Sequence, residues 1–208
     1  MLIEMTAKDF LAQTASSSPA PGGGSASALA GALGVALAEM VINLTVGKKK
    51  YADVSEELST LLPRLNQARR DLETAVDRDT EAFNGVMAAY GMPKDTEEQK
   101  QARTAAIQAA TRQATEVPLG VMGTCLHALE LTQTVAAKGN RNSISDAGVA
   151  GLLLAAALEG AALNVKINLP SLPEDDPFRK ETQSAMERML GEKVRLEQII
   201  QDTVAKNL

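Results

Sequence analysis

The chain has almost no aromatic residues. Among its 208 residues there is no tryptophan, and Phe10, Phe83, Phe178, Tyr51 and Tyr90 are the whole aromatic set. Runs of β-branched and aromatic residues mark strands, so their scarcity argues against a sandwich or barrel. Cysteine occurs once, at Cys125, which rules out an internal disulfide and points to a reducing, cytoplasmic setting. Histidine also occurs once. His127 and Cys125 do not make a metal set, because zinc needs three or four converging ligands, and no metal is expected. The same two residues support neither a Ser-His-Asp nor a Cys-His triad. Positive charge is in deficit, with 21 Lys and Arg against 26 Asp and Glu, and a net charge of −5 argues against a nucleic-acid binder. The amino end, MLIEMTAKDF, has an early acid and no apolar core, so no secretory signal is expected.

What is present is mostly alanine and leucine, in a chain long enough for one domain over residues 1–208 with a real core. The expected fold is all-α: a multihelical bundle with long kinked helices. Residues 26–46 hold only Glu39 as a charge, and Ala147–Val165 only Glu159. An ionisable group in mid-span is costly in lipid, so both runs are expected to be core helices and no membrane is expected.

Thr6 is placed to cap a short helix to about Ala15, and Ser16–Gly24 reads as a loop with Pro19 and Pro21. A second helix is predicted from near Ser25 to near Gly47. A long third runs from about Asp53 to Tyr90, bent at Pro63. After Gly91-Met92-Pro93, Thr96 with Gln99 predicts a capped fourth helix to Lys138, interrupted near Pro118 and closed by a Gly139-Asn140 cap. Ser143 to Asp146 has the spacing of a capping box for an apolar helix ending near Leu169-Pro170. Asp175-Asp176-Pro177 leads a charged amphipathic helix to the end.

The long third helix carries an anomaly. Leu58, Leu65, Leu72, Val76, Asp79, Phe83, Val86 and Tyr90 share one face by steps of three, four and seven. Asp79 stands where leucine is expected, while Asp77 and Glu81 lie off the stripe and are expected to be solvated. A carboxylate in a core position must be ion-paired, used as a cap for a neighbouring helix, or kept for acid–base chemistry.

Other residues allow both a structural and a ligand-binding reading. Gly22-Gly23-Gly24-Ser25 precedes a helix whose free N–H groups suit an anion. The run lacks the spacing of a dinucleotide or phosphate loop, and glycines there could equally serve close packing. Lys48-Lys49-Lys50 beside Gly47 and Tyr51 either neutralises a helix C-terminus or faces a ligand. Asn43 and Asn164 lie in very apolar helices, where amides satisfy buried partners or touch a ligand. Asp146 is a first-turn charge or a rigid carboxylate at a rim.

Taken in order, Pro21–Ser25, Gly47–Tyr51, Asp77–Phe83, Pro93-Lys94, Val117–Leu119, Gly139-Asn140, Ser145-Asp146 and Asn164–Leu169 carry a resemblance over nearly the whole chain. The chain is similar to the cyclodeaminase/cyclohydrolase family, which comprises the C-terminal half of formiminotransferase-cyclodeaminase and stand-alone bacterial methenyltetrahydrofolate cyclohydrolases. The Gly47–Tyr51 wording looks closer to the stand-alone enzymes. The resemblance implies an all-helical homodimer that hydrolyses 5,10-methenyltetrahydrofolate to 10-formyltetrahydrofolate, with no cofactor beyond the folate substrate. It implies Asp79 and Asp146 as acid/base residues. Lys48 and Lys50 would bind the glutamate tail, Gly22–Ser25 the pterin or tail edges, and Tyr51 would lie near the pterin, with Asn43 and Asn164 as further contacts. Formiminotetrahydrofolate cyclodeaminase and a non-catalytic helical scaffold dimer are the competing readings.

Overall fold

Six α-helices make up nearly all of the computed structural model, which describes residues 1–208. They are α1 (Ala7–Thr14), α2 (Gly23–Asn43), α3 (Ala52–Tyr90), α4 (Glu97–Lys138), α5 (Ile144–Asn168) and α6 (Pro177–Ala205). No strand occurs, as the composition requires. One hydrophobic cluster runs from Phe10 in α1 to Val204 in α6 and takes residues from every helix.

The centre is an antiparallel pair, α2 and α5. Gly31 lies beside Ala157, Gly34 beside Leu154, and Gly23 beside Asn164, so rising numbers in one helix meet falling numbers in the other. A side chain at Gly34 would collide with α5: its Cβ would lie 2.9 Å from Leu154 and 3.1 Å from the Ala150 carbonyl. The small residues thus let two backbones approach closely. α3 covers α2, α4 packs on α3 and α5, and α6 closes against α4 and α5.

Both α2 and α5 are long and apolar enough, by length and composition, to cross a membrane. Each nevertheless buries a face in the core, and the acids that interrupt them find cations. Glu39, whose side chain is 12% exposed, meets Arg69 Nε at 3.0 Å. Glu159 and Glu197 together hold the buried Lys193 of α6.

Local signals set most boundaries. Thr6 Oγ1 accepts from the Asp9 amide at 3.1 Å, and Thr96 and Gln99 form the reciprocal box, each bond at 3.2 Å. Four expectations need correction. α2 stops at Asn43 rather than near Gly47, and the chain turns through Gly47 at φ +79°. α4 continues through Pro118 without interruption. Ser143 does not cap α5, because its hydroxyl donates backwards to the Asn140 carbonyl at 3.0 Å. Asp77 is not simply solvated. It is half-buried and accepts the backbone amides of Leu2 (2.5 Å) and Ile3 (3.4 Å), which fastens a short 3-10 turn to α3.

Candidate active site

The α3 stripe is buried from Leu58 to Val76 and then peels away from the core. Asp79 lies at this transition, with Phe83 and Val86 beyond it, on the wall of a cavity of about 320 Å³. The opposite walls are the glycine entry to α2 and the last turns of α5 with Asn164 and Asn168. Asp79 Oδ2 accepts from the Ser25 amide at 2.8 Å and from its hydroxyl at 2.9 Å. Asp79 therefore caps α2 from a neighbouring helix, one of the roles its sequence position allowed, and it makes no ion pair. Its second oxygen has no hydrogen-bond partner and lies against Gly24, where any side chain would overlap the carboxylate. Burial pushes the Asp79 carboxyl above the ordinary carboxylate range, and the Ser25 hydroxyl and amide oppose that shift. No other ionisable side chain lines this cavity.

Ser25 is fully buried, with its amide and hydroxyl committed to Asp79 and its Oγ 3.3 Å from Thr80 Oγ1. Ser25, expected as a ligand contact, thus spends both of its donors on Asp79. Gly22 is the N-cap of α2, and its carbonyl accepts from the Ala26 amide at 3.0 Å. Gly23 and Gly24 form the first turn and line the cavity.

The remaining predicted residues sit at the other end of the α2–α5 pair. Asp146 lies 18 residues before Asn164 in α5, about 27 Å away at the rise of an α-helix. It is half-buried and has no hydrogen-bond partner within the chain. Asn43 is exposed in the last turn of α2, close to that level. Lys48, Lys49 and Lys50 are all exposed. Lys50 lies over the Tyr51 ring, 5.4 Å from its centre, and both line a second cavity of about 290 Å³ with Lys138 and Arg141. Lys138 is paired with Glu57. The Tyr51 hydroxyl is held: it donates to Asn140 Oδ1 at 3.2 Å and accepts from the Arg141 amide at 3.2 Å. Within one chain, then, Asp79 and Asp146 do not converge.

Comparison with known proteins fixes the relationship. The formiminotransferase-cyclodeaminase family model matches residues 6–188. The chain belongs to the formiminotransferase-cyclodeaminase family. It is 47% identical over 199 residues to a protein named methenyltetrahydrofolate cyclohydrolase from Methylorubrum extorquens, covering 96% of this chain and 95% of that one. It is 35% identical over 191 residues to the formimidoyltransferase-cyclodeaminase of Rattus norvegicus, and there spans only 35% of the relative's length. The fold superposes on a crystal structure of a formiminotetrahydrofolate cyclodeaminase from Thermotoga maritima with a TM-score of 0.88 at 30% identity, covering 99% and 98% of the two chains.

The family match takes in both ends of the α2–α5 pair, including Asp79 and Asp146. Sequence reasoning missed Asn140 and Arg141 as parts of the cationic end. Asn140 ties three segments together: Oδ1 accepts from Tyr51, Nδ2 donates to the Leu44 carbonyl at 3.0 Å, and the backbone amide donates to Thr45 Oγ1 at 2.8 Å. A cap signal at Gly139-Asn140 was visible, but those partners lie about ninety positions away. Gly139 is in any case extended rather than left-handed, and a Cβ there would strike Val41 at 2.7 Å. The lone His127 is half-buried between Arg64 and Glu130 and lines neither cavity.

Proposed function

We propose that the chain is a cytoplasmic, homodimeric methenyltetrahydrofolate cyclohydrolase that converts 5,10-methenyltetrahydrofolate to 10-formyltetrahydrofolate without a further cofactor. The observation that carries this reading is Asp79: a half-buried carboxylate, held through one oxygen, with the other free in a cavity that contains no cation. The substrate supplies the missing positive charge, because its reactive carbon lies in an amidinium between two ring nitrogens. A fixed anion in a poorly solvated site attracts that cation and accepts a proton from water as it attacks the carbon. The proton passes to the N-5 nitrogen, the bond from that nitrogen to carbon breaks, and loss of the hydroxyl proton leaves the formyl group on N-10. General acid–base help of this kind is worth about 10²–10⁴ in rate.

The second carboxylate comes from a partner copy. α2 exposes Leu33 and Met40, with Leu44 just past its end, and α5 exposes Val149, Leu152, Leu163 and Ile167, with Leu163 at 65% and Ile167 at 74%. Both sets recur at helical spacing on adjacent helices, giving one apolar face with Asn43 and Asp146 towards one end and Asn164 towards the other. Such a face marks an interface. An isologous antiparallel pairing buries it and brings the Asp146 end of one copy to the Asp79 end of its partner. The cationic cavity at Lys50 and Arg141 then stands near the rim, where the glutamate carboxylates of the folate tail can reach it.

Loss of methenyl absorbance on mixing with 5,10-methenyltetrahydrofolate tests the reaction. Ammonia release from 5-formiminotetrahydrofolate tests the competing cyclodeaminase, which the Thermotoga maritima structure favours as second reading. In that reaction an internal nitrogen attacks instead of water, through a similar tetrahedral carbon. A protein that turns over neither substrate and binds no reduced folate leaves only the scaffold reading.

A further inference from the structure

Two carboxamides on α5 line the Asp79 cavity, and the surrounding structure fixes which way each one faces. Asn164 Nδ2 donates to the Gly160 carbonyl at 2.9 Å, and Asn168 Nδ2 donates to the Ala114 carbonyl at 2.9 Å. Both partners are carbonyls, which only accept, so in each case the nitrogen must point at the carbonyl and Oδ1 must point away. No protein donor reaches either Oδ1.

The partner of Asn168 exists because of a proline. In an α-helix the Ala114 carbonyl would accept from the amide of residue 118, but Pro118 has no N–H. That carbonyl is therefore left for another donor, and Asn168 supplies it from α5. Pro118 is buried and α4 stays helical through it, so the free carbonyl is a fixed feature of the α4 wall.

We infer that Asn164 and Asn168 form an acceptor pair that reads an N–H-rich edge of the substrate, namely the amino and ring N–H groups of its aminopyrimidinone ring, and that Pro118 is a positioning residue for this pair. The inference rests on the folate reading above and adds the contact that orients the ring. Residues one turn apart on a helix lie side by side, so both oxygens can meet one planar edge. Asp79 Oδ1 is a further side-chain oxygen of the cavity without a protein donor, which leaves the asparagines to bind the ring while the carboxylate addresses the one-carbon unit.

The test compares 5,10-methenyltetrahydrofolate with its analogue lacking the ring amino group, in the full-length protein. Asn164→Ala and Asn168→Ala should each raise KM for the natural substrate about tenfold with kcat changed less than twofold, as expected for loss of a binding hydrogen bond. The analogue lacks the amino contact but keeps the ring N–H, so at least one of the two substitutions should raise its KM less than that of the natural substrate. Pro118→Ala restores a helical donor to Ala114 and frees Asn168, so it too should raise KM, and Asn168→Ala should then add little. Equal KM increases for both substrates in both asparagine variants, or additive effects of the Pro118 and Asn168 changes, would overturn the acceptor-pair reading on an active enzyme. A wild-type protein that opens no methenyl folate would instead remove the proposed reaction, and this reading with it.

Discussion

Replacing Ser25 by alanine removes one of the two donors to Asp79 Oδ2 and leaves the other, the backbone amide at 2.8 Å, in place. The site is fully buried and the change deletes only an oxygen, so the fold should be kept. A hydrogen bond from a hydroxyl to a carboxylate contributes about 1.5–3 kcal/mol, all of it to the ionised form. Losing it favours protonated Asp79 and adds to the upward push that burial already exerts. If ionised Asp79 is the base, the acid limb of the kcat/KM profile moves to higher pH. Each 1.36 kcal/mol is tenfold, so turnover below that limb should fall by about ten- to a hundredfold. Above the limb the variant should match wild type, because the carboxylate is ionised in both. Stopped-flow loss of methenyl absorbance across pH reads this directly. A uniform loss at every pH would refute the reasoning and make Ser25 a direct substrate contact; a limb moving to lower pH would refute the assignment of Asp79 as base.

Further outcomes follow from the same geometry. Asp79→Asn should abolish most turnover yet raise the melting temperature at pH 7. The Asp79 pKa is higher in the folded state, so native stability is full below the unfolded value of about 3.9 and falls as pH rises towards the folded one. The melting-temperature gain should therefore vanish in acid, and a gain independent of pH would contradict the sign. Asp79→Asn and Asp146→Asn chains, each inactive alone, should recover activity when co-refolded, since one site of a mixed dimer then holds both carboxylates; no recovery would rule out the shared site. Gly24→Ala should cost at least as much activity as Ser25→Ala, measured at saturating substrate, because a methyl group there overlaps the Asp79 carboxylate. Lys50→Ala should weaken folate binding without lowering kcat, and unchanged affinity by titration would exclude it from the tail site.

Features decided within a few residues were readable in the sequence. Thr6, Thr96 with Gln99 and Asp176 each cap the helix they precede, because a cap needs only its own first turn. Asp79 stood out for a similar reason, since a carboxylate on a leucine stripe is anomalous without any knowledge of its neighbours. Its partner was another matter. Ser25 is 54 positions away, and only the fold shows that the amide and hydroxyl expected to hold a ligand hold a carboxylate instead. Ser143 misled because its spacing to Asp146 suits a box, while the Asn140 carbonyl offered a nearer acceptor. Pro118 suggested an interruption that does not occur, and nothing in the sequence showed it as the source of a free carbonyl, because the Asn168 donor comes from another helix. The largest gap was distance. The predicted helix from Ser25 to Gly47 already put the glycine run and the lysines at opposite ends, but it did not tell that Asp79 joins the first set and Asp146 the second.

That pair has the character of a notched ruler. Gly34 in α2 receives Leu154 of α5 and Gly160 in α5 receives Ser27 of α2 where a Cβ would collide, which opposes any change of register. One residue inserted into either helix would advance its far end by about 1.5 Å and turn it by about 100°. Asn43 or Asp146, according to the helix lengthened, would then leave the shared face while Ser25 and Asp79 kept their contact. Length variation among functional relatives should therefore fall in the connections, while the segments from residue 23 to 43 and from 144 to 168 keep a constant count.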